Sequence, residues 1–376
     1  MSGSSLKIIH CFRSPVGGIF RHVRDLVHAH HEQGHQLGIL CDSLTGGDHE
    51  ERLFSEIEPK LALGLERIPM RRAITPGDLI AAGGTYKHIS KLQPDILHSH
   101  GAKGGAYARM IGSLLRVSGK RVARLYCPHG GSIHYDPSSL KGRLFFGLER
   151  GLERFCDRLI FVSDYERKGY EEKVGTPRIP VSLIYNGLSP EEFEDVPSIR
   201  NAADFLYIGM MRDLKGPDVF LDAVEMLHQE GVKIRAEFVG DGPDKQSYID
   251  RINKAPWRDF ITVHDAMPAR EAFALAKHVV VPSRAESMPY IVLETIAAGK
   301  PILCTNVGGI PEIFEDETDK LVEPGNARAL ADAMSQMLAN KRVKQEAKAR
   351  KKRLQMRFSV EKMADDVMAA YRESLS

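Results

Sequence analysis

The stretch VVVPSRAESMPYIVLETIAAGKP, residues 279–301, decides the fold. With His278 before it, the run up to Ser283 is apolar without alternation, which reads as a strand buried on both faces. From Tyr290 to Ala298 the apolar residues recur at helical spacing. Pro289 suits the first position of a helix, and Gly299 and Pro301 end it. A buried strand passing through a short loop into a helix is the building unit of a parallel α/β sheet. Two glutamates fall in this unit, Glu286 in the loop and Glu294 on the helix. On a continuous helix their separation would set them about 80° apart, too oblique for one face. The break lets both border the space ahead of the helix N-terminus, where unpaired amides and the dipole favour a phosphate. An anionic ligand flanked by two hydroxyl acceptors is the chemistry this suggests.

The same rhythm runs through most of the chain. LKIIHCF, QLGILCD, DILHSH, RVARLYCP and RLIFVS read as strands, and the loop RSPVGG leads into a helix from about Ile19 to Gln33 with Phe20, Val23 and Val27 on one side. After the turn-rich VSLIYNGLSPEEFEDVP the cycle restarts with DFLYIGMM, KIRAEFVGDGP, ITVHDAM, HVVVPS and PILCTNVGG. Alternating strands and helices predict two doubly wound parallel sheets, one over residues 1–190 and one over 200–355, joined near 188–203. Ligands bind such sheets at the carboxyl ends of their strands, and two facing sheets would enclose a cleft. No internal repeat or low-complexity tract interrupts the pattern.

A chain of 376 residues, 43% hydrophobic and 27% charged, has a globular composition and room for two domains. Its net charge of +2 argues against a dedicated nucleic-acid binder. The five cysteines, Cys11, Cys41, Cys127, Cys156 and Cys304, are odd in number, lack C-x-x-C spacing and lie mostly in apolar runs. Reduced core thiols and a cytoplasmic location are expected. MSGSSLKIIHCF has no long apolar core of a signal peptide, and no window reaches the roughly 18 apolar residues of a membrane span.

Several loops after strands carry chemistry. PVGG, with Gly17 and Gly18 opening a helix, could offer amides to a diphosphate. VGDGPD, with Gly240 and Gly242, resembles half a dinucleotide fingerprint but lacks the third glycine and the acidic residue after the next strand, which argues against NAD. GMMRDLKG places Arg212 and Lys215 after the first strand of the second half. Two loop cations are ordinarily solvated surface, but a strand carboxyl end favours a ligand role. His129 in CPHGG should point from the first domain toward the ligand side. A loop histidine bonded to a backbone carbonyl is the bland alternative. His98 and His100 share a strand face and could hold a metal, yet no third ligand stands at metal spacing, so no metal site is expected. Lys103, Gly104 and Gly105 follow on the next loop.

Together these residues resemble the retaining glycosyltransferases of the GT-B fold, specifically glycosyltransferase family 4. The resemblance spans nearly the whole chain through PVGGIFRHV, DILHSHGAKGG, PHGG and IYNG in the first half. In the second it rests on the segment ending in Lys215-Gly216, VGDGP, the two glutamates separated by seven residues, AAGKPI and VGGIPEI. It implies a nucleotide-sugar donor, UDP- or GDP-linked, with no cofactor and no metal. Glu294 would accept bonds from the ribose and Glu286 from the transferred sugar, with Ser287, Met288, Pro289 and Tyr290 approaching the donor. Arg212 and Lys215 would neutralise the departing diphosphate, as preorganised cations do where charge develops. His129 would position the donor sugar, and His100 and Lys103 would face the acceptor. Many family members place the Arg directly after the strand-ending Gly, where this chain has Met210, so Arg212 is displaced by two positions.

The activity implied is metal-independent hexosyl transfer with retention, onto a saccharide or lipid-linked saccharide, in bacterial exopolysaccharide, capsule or lipopolysaccharide synthesis. A nucleotide-sugar epimerase of the same fold, or a non-catalytic nucleotide-sugar-binding protein, is the alternative. By the same resemblance the last helix, 359–376, crosses back onto the first domain. The basic segment KRVKQEAKARKKRLQMR could touch anionic lipid, making the protein peripheral on the inner face of the cytoplasmic membrane, although a solvated helix face is the commoner reading. SLKGRLFFGLERGLERF, with apolar residues at helical spacing, is expected to pack in the first domain's core.

Overall fold

The computed structural model describes residues 4–71, 77–131, 133 and 135–376. The chain divides into two units, Met1–Gly187 with Val360–Ser376, and Leu188–Ser359.

The first unit is built on seven strands: β1 (Lys7–Phe12), β2 (Gln36–Asp42), β3 (Leu65–Ile68), β4 (Ile96–His100), β5 (Ala123–Cys127), β6 (Arg158–Phe161) and β7 (Val181–Leu183). They form one parallel sheet in the order β3-β2-β1-β4-β5-β6-β7, so the order reverses between β1 and β4, the switch point at which such sheets bind ligands. Six helices follow in the chain: α1 (Gly17–Glu32), α2 (Asp48–Ile57), α3 (Gly77–Leu92), α4 (Gly101–Val117), α5 (Leu140–Leu152) and α6 (Asp164–Lys173). Ile9, Cys11, Leu40 and Leu97 of the central strands pack with Tyr107 and Ile111 of α4 into one core cluster. Each large apolar side chain buried this way contributes about 1.5–3 kcal/mol.

The second unit has five parallel strands, β8 (Ala203–Ile208), β9 (Ala236–Val239), β10 (Ile261–His264), β11 (Ala276–Val281) and β12 (Ile302–Cys304), in the order β10-β9-β8-β11-β12. Its helices are α7 (Pro217–Gln229), α8 (Lys245–Lys254), α9 (Ala269–Ala274), α10 (Tyr290–Ala297), α11 (Ile310–Phe314), α12 (Ala327–Ala339) and α13 (Val343–Arg357). Phe205, Tyr207, Phe220 and Phe238 form its core with Trp257 and Met334. The last helix, α14 (Val360–Leu375), belongs to the first unit. There His30 bonds the Ala364 carbonyl at 3.1 Å and Tyr371 bonds His98 at 2.7 Å.

One expectation meets a correction. Helix α5 does not bury its leucines: Leu140, Leu144 and Leu148 are 85%, 62% and 40% exposed, while Phe146 and Glu149 turn inward. Glu149 is there to pair with Arg109 at 2.9 Å and to accept from Tyr126 Oη at 2.9 Å, a buried charge held by its own partners. The basic helix α13 spends much of its charge within its own unit. Arg350 and Arg353 both bond Glu317, Arg357 pairs with Glu315 at 2.6 Å, and Lys351 pairs with Asp195. Those four cations brace the unit. Cys11, Cys41, Cys127, Cys156 and Cys304 are all buried and free, and among the described residues no helix is long and apolar enough to cross a membrane.

Candidate functional site

In the second unit the site grows from the carboxyl ends of β8 and β11. After β8 the chain makes one turn of 3-10 helix, Asp213–Lys215, and Gly216 takes a left-handed conformation before α7 begins. The turn aims Lys215 at the loop after β11, where its Nζ lies 2.6 Å from Glu286 Oε1. The same oxygen accepts from Ser283 Oγ at 2.7 Å, and Glu286 is 7% exposed. A carboxylate this buried requires such partners to offset its lost hydration. Arg212 caps the same turn, half-buried, with its carbonyl accepting from the Lys215 amide at 2.9 Å. Met210 is exposed at the position where the resemblance would put an arginine.

Glu286 precedes α10 and Glu294 lies within it, with no side chain capping the helix. Between them Met288 and Tyr290 are buried, and the buried hydroxyl of Ser287 has no hydrogen-bond partner. A buried orphan hydroxyl beside an uncapped helix N-terminus is what a site awaiting a polar ligand presents. The loop is held from behind by Gly308, whose φ of +60° and contact with the Glu286 carbonyl exclude any side chain. The Gly309 amide then bonds Ser287 O at 2.8 Å. Gly240 and Gly242 sit where a side chain would strike the Gly209 and Met211 carbonyls, so their evident role is to let the loops after β8 and β9 touch. Lys245 pairs with Asp265 at 2.5 Å and His264 with Glu237 at 2.7 Å on the neighbouring edge.

In the first unit Gly17 and Gly18 are exposed at the uncapped start of α1, with no acidic residue in its first turn. His129 stands at a φ of +50°, an uncommon conformation for a residue with a side chain. The turn is held by Glu166, fully buried, which accepts from the amides of Gly130 and, at 2.9 Å, Val162. Strained backbone that its surroundings enforce is a mark of functional sites. Glu166 escaped the sequence reading, although S-D-Y-E at 163–166 is a helix-start signature; Ser163 caps α6 by accepting from the Glu166 amide at 3.1 Å.

Behind His129 lies a chain of imidazoles. His129 Nε2 is 3.0 Å from His100 Nδ1, and His100 Nε2 is 3.0 Å from His10 Nδ1. His100 is thus buried with both ring nitrogens engaged, while Lys103 is half-buried on the first turn of α4. Gly104 and Gly105 are required by close packing, since side chains there would strike the Cys11 carbonyl and the Tyr126 ring. His22 joins from α1, with Nδ1 3.1 Å from Asn186 Oδ1. Burial pushes His10, His98, His100 and His129 well below the usual imidazole pKa, and His22 down to about 4 despite its bond to Asn186. Two triads, His10/His98/His100 and His22/His100/His129, bring ring nitrogens within 4.8 Å of one another. The third ligand that HSH lacks in the sequence is therefore supplied by other elements, which corrects the expectation that no metal-competent set exists.

Comparison with known proteins identifies the family of both halves of the chain. A model described as Glycosyltransferase Family 4 matches residues 16–192, and one described as Glycosyl transferases group 1 matches residues 202–340. An uncharacterized glycosyltransferase of Methanocaldococcus jannaschii is 25% identical over 95% of each chain. A putative glycosyltransferase of Bacillus subtilis, EpsD, is 26% identical over 81% of this chain and 84% of its own. Among solved structures, Anabaena HepE in complex with UDP and glucose superposes with a TM-score of 0.79 at 15% identity, covering 98% of this chain and 99% of that one. A glycosyltransferase of Rickettsia africae reaches a TM-score of 0.79 at 18% identity over 100% of both chains. At such identities the structures speak for the GT-B fold alone.

Proposed function

From the premise that the chain belongs to glycosyltransferase family 4, the group 1 glycosyl transferases of GT-B fold, we propose that it moves a hexose, with retention and without a metal, from a UDP- or GDP-sugar to a saccharide or lipid-linked saccharide. The observation that carries this reading is the Lys215–Glu286 pair, 2.6 Å apart at the ends of β8 and β11. Cation and carboxylate hold each other in place before a ligand arrives. On donor binding, Lys215, with Arg212 beside it, stabilises the charge that grows on the leaving diphosphate, worth about 2.7–4 kcal/mol where one such preorganised group has been removed elsewhere. Glu286 accepts from hydroxyls of the transferred sugar, Glu294 from the ribose, and Ser287 Oγ finds its missing partner on the donor. Gly17 and Gly18 offer α1 amides to the diphosphate. His129, held neutral by burial, bonds the sugar and does not act as a base.

HepE, solved with UDP and glucose, supports a nucleotide-sugar donor, and relatives described as putative teichuronic acid and colanic acid biosynthesis glycosyltransferases support a polysaccharide product. The test is the pair of variants Lys215→Ala and Glu286→Gln. Both should bind donor within tenfold of the parent and lose at least a hundredfold in transfer; undiminished transfer in either refutes the assignment.

Contact with the inner face of the cytoplasmic membrane, where a lipid-linked acceptor would be presented, is placed on α5 in this reading. The exposed Leu140, Leu144 and Leu148 lie one turn apart with Lys141 and Arg143 interleaved, which suits an anionic lipid surface. Cosedimentation with phosphatidylglycerol vesicles, lost in Leu144→Ser, is the expected result, and equal binding by the variant would refute it.

A further inference from the structure

We propose that the first unit carries a binding site for a divalent transition-metal ion of the zinc class, formed by His22, His100 and His129. The three ligands come from distant parts of the chain: α1, the end of β4, and the turn after β5. Imidazole nitrogen is the ligand such ions favour.

The distances suit this reading. Zinc holds nitrogens at about 2.0–2.1 Å, so two ligands of a tetrahedral ion stand about 3.4 Å apart. Here His100 Nδ1 and His129 Nε2 are 3.0 Å apart, and all three residues offer a nitrogen within 4.8 Å of the others. The His22 and His129 rings meet edge to face with centroids 4.9 Å apart.

The proton positions suit it as well. Asn186 Oδ1 only accepts, so His22 Nδ1 carries the proton and Nε2 is left with its lone pair. That nitrogen is buried with no hydrogen-bond partner, a costly state that a metal would relieve. A ligating histidine whose other nitrogen donates to an amide oxygen is the usual outer support of a metal site. His100 has the same support, its Nε2 facing His10 Nδ1 at 3.0 Å. Burial keeps His22, His100 and His129 unprotonated at neutral pH, as ligation requires. The competing triad, His10/His98/His100, is sealed, with none of its members more than 1% exposed. Of the three ligands only His129 is partly exposed, so it is the member through which an ion would enter.

The ion is not part of the proposed reaction. By fixing the His129 ring against His22 and His100, it withdraws that side chain from the donor sugar, so zinc should inhibit transfer, a consequence that rests on the function proposed above. Binding itself is tested without turnover. The protein, stripped with a chelator, is titrated with Co2+ alone and followed by its visible absorption. One equivalent per chain should give intense bands of four- or five-coordinate cobalt, absent in His129→Ala and retained in His98→Gln. Asn186→Ala, which removes only the support, should weaken Co2+ binding by about 10–100-fold. His129 is the least buried of the three ligands, and a thermal melt of each variant checks that it folds. No cobalt bands in the parent, bands that persist in His129→Ala, or bands lost only in His98→Gln would overturn the proposal.

Discussion

Replacing Gly308 by alanine isolates what a single methyl does to the candidate site. Gly308 has φ +60°, and a Cβ built on it lies 2.6 Å from the carbonyl carbon of Glu286 and closer still to its oxygen. Carbon atoms in contact prefer about 3.5–4.0 Å, so the Glu286 segment must retreat by about 1 Å. A left-handed non-glycine residue adds roughly 1–2 kcal/mol of backbone cost. Gly325 is the control: its φ is +76° with nothing within 4 Å of a built Cβ. Gly325→Ala should therefore carry the backbone cost alone. Misplacing a reacting group by about 1 Å costs on the order of a hundredfold in rate. With donor-dependent release of nucleoside diphosphate as the assay, Gly308→Ala should lose about a hundredfold in kcat/KM while Gly325→Ala stays near the parent. Urea unfolding should show both destabilised. Activity in Gly308→Ala within threefold of Gly325→Ala would refute the view that this glycine sets the position of Glu286.

Three further outcomes are expected. His22 and His30 are each held at about 4 in the folded protein, chiefly by burial, against about 6.5 when unfolded. The unfolded chain then binds more protons below pH 6.5, so stability is full above that value and falls as pH drops toward 4; at pH 5 each costs about 2 kcal/mol. Urea midpoints that do not change between pH 7.5 and 5 would contradict this. Glu166→Gln leaves the Gly130 and Val162 amides sharing one weaker acceptor, and should cost about 1–3 kcal/mol by urea unfolding; an unchanged midpoint would contradict that role. Leu144→Ser, at a position 62% exposed, should leave the melting temperature within about 2 °C, since exposed substitutions seldom exceed 0.5 kcal/mol; a large drop would mean that α5 is covered.

Ten of the twelve strands described are legible, most of them because parallel strands buried on both faces are continuous apolar runs. The two missed, Leu65–Ile68 and Val181–Leu183, are the outermost strands of the seven-stranded sheet, and their mixed exposure leaves no apolar run to read. Lys233–Arg235 reads as strand by its β-branched residue yet lies before β9, which starts at Ala236. For α5, helical spacing of the leucines reveals an amphipathic face but not what that face meets, so a core assignment and an exposed stripe look alike in sequence. The break at Ser287–Pro289 places Glu286 and Glu294 in different elements, as their types suggest, because proline and glycine act locally. The partnership of Lys215 with Glu286 depends on β8 and β11 being neighbours, a matter of sheet order. The imidazole cluster was hidden for the same reason. His10 stands opposite His98 in the β1–β4 register, and His22 arrives from a helix, so no spacing along the chain could join them.

The most direct test of the transferase reading is to incubate the protein, in EDTA, with UDP-, GDP- and ADP-sugars and measure nucleoside diphosphate release with and without a lipid-linked saccharide extract. Release from one donor that depends on the extract, with the anomeric configuration kept in the product and the activity lost in Glu286→Gln while donor binding persists, is the result expected. Conversion of the donor sugar with no acceptor present, or undiminished transfer by Glu286→Gln, would contradict it.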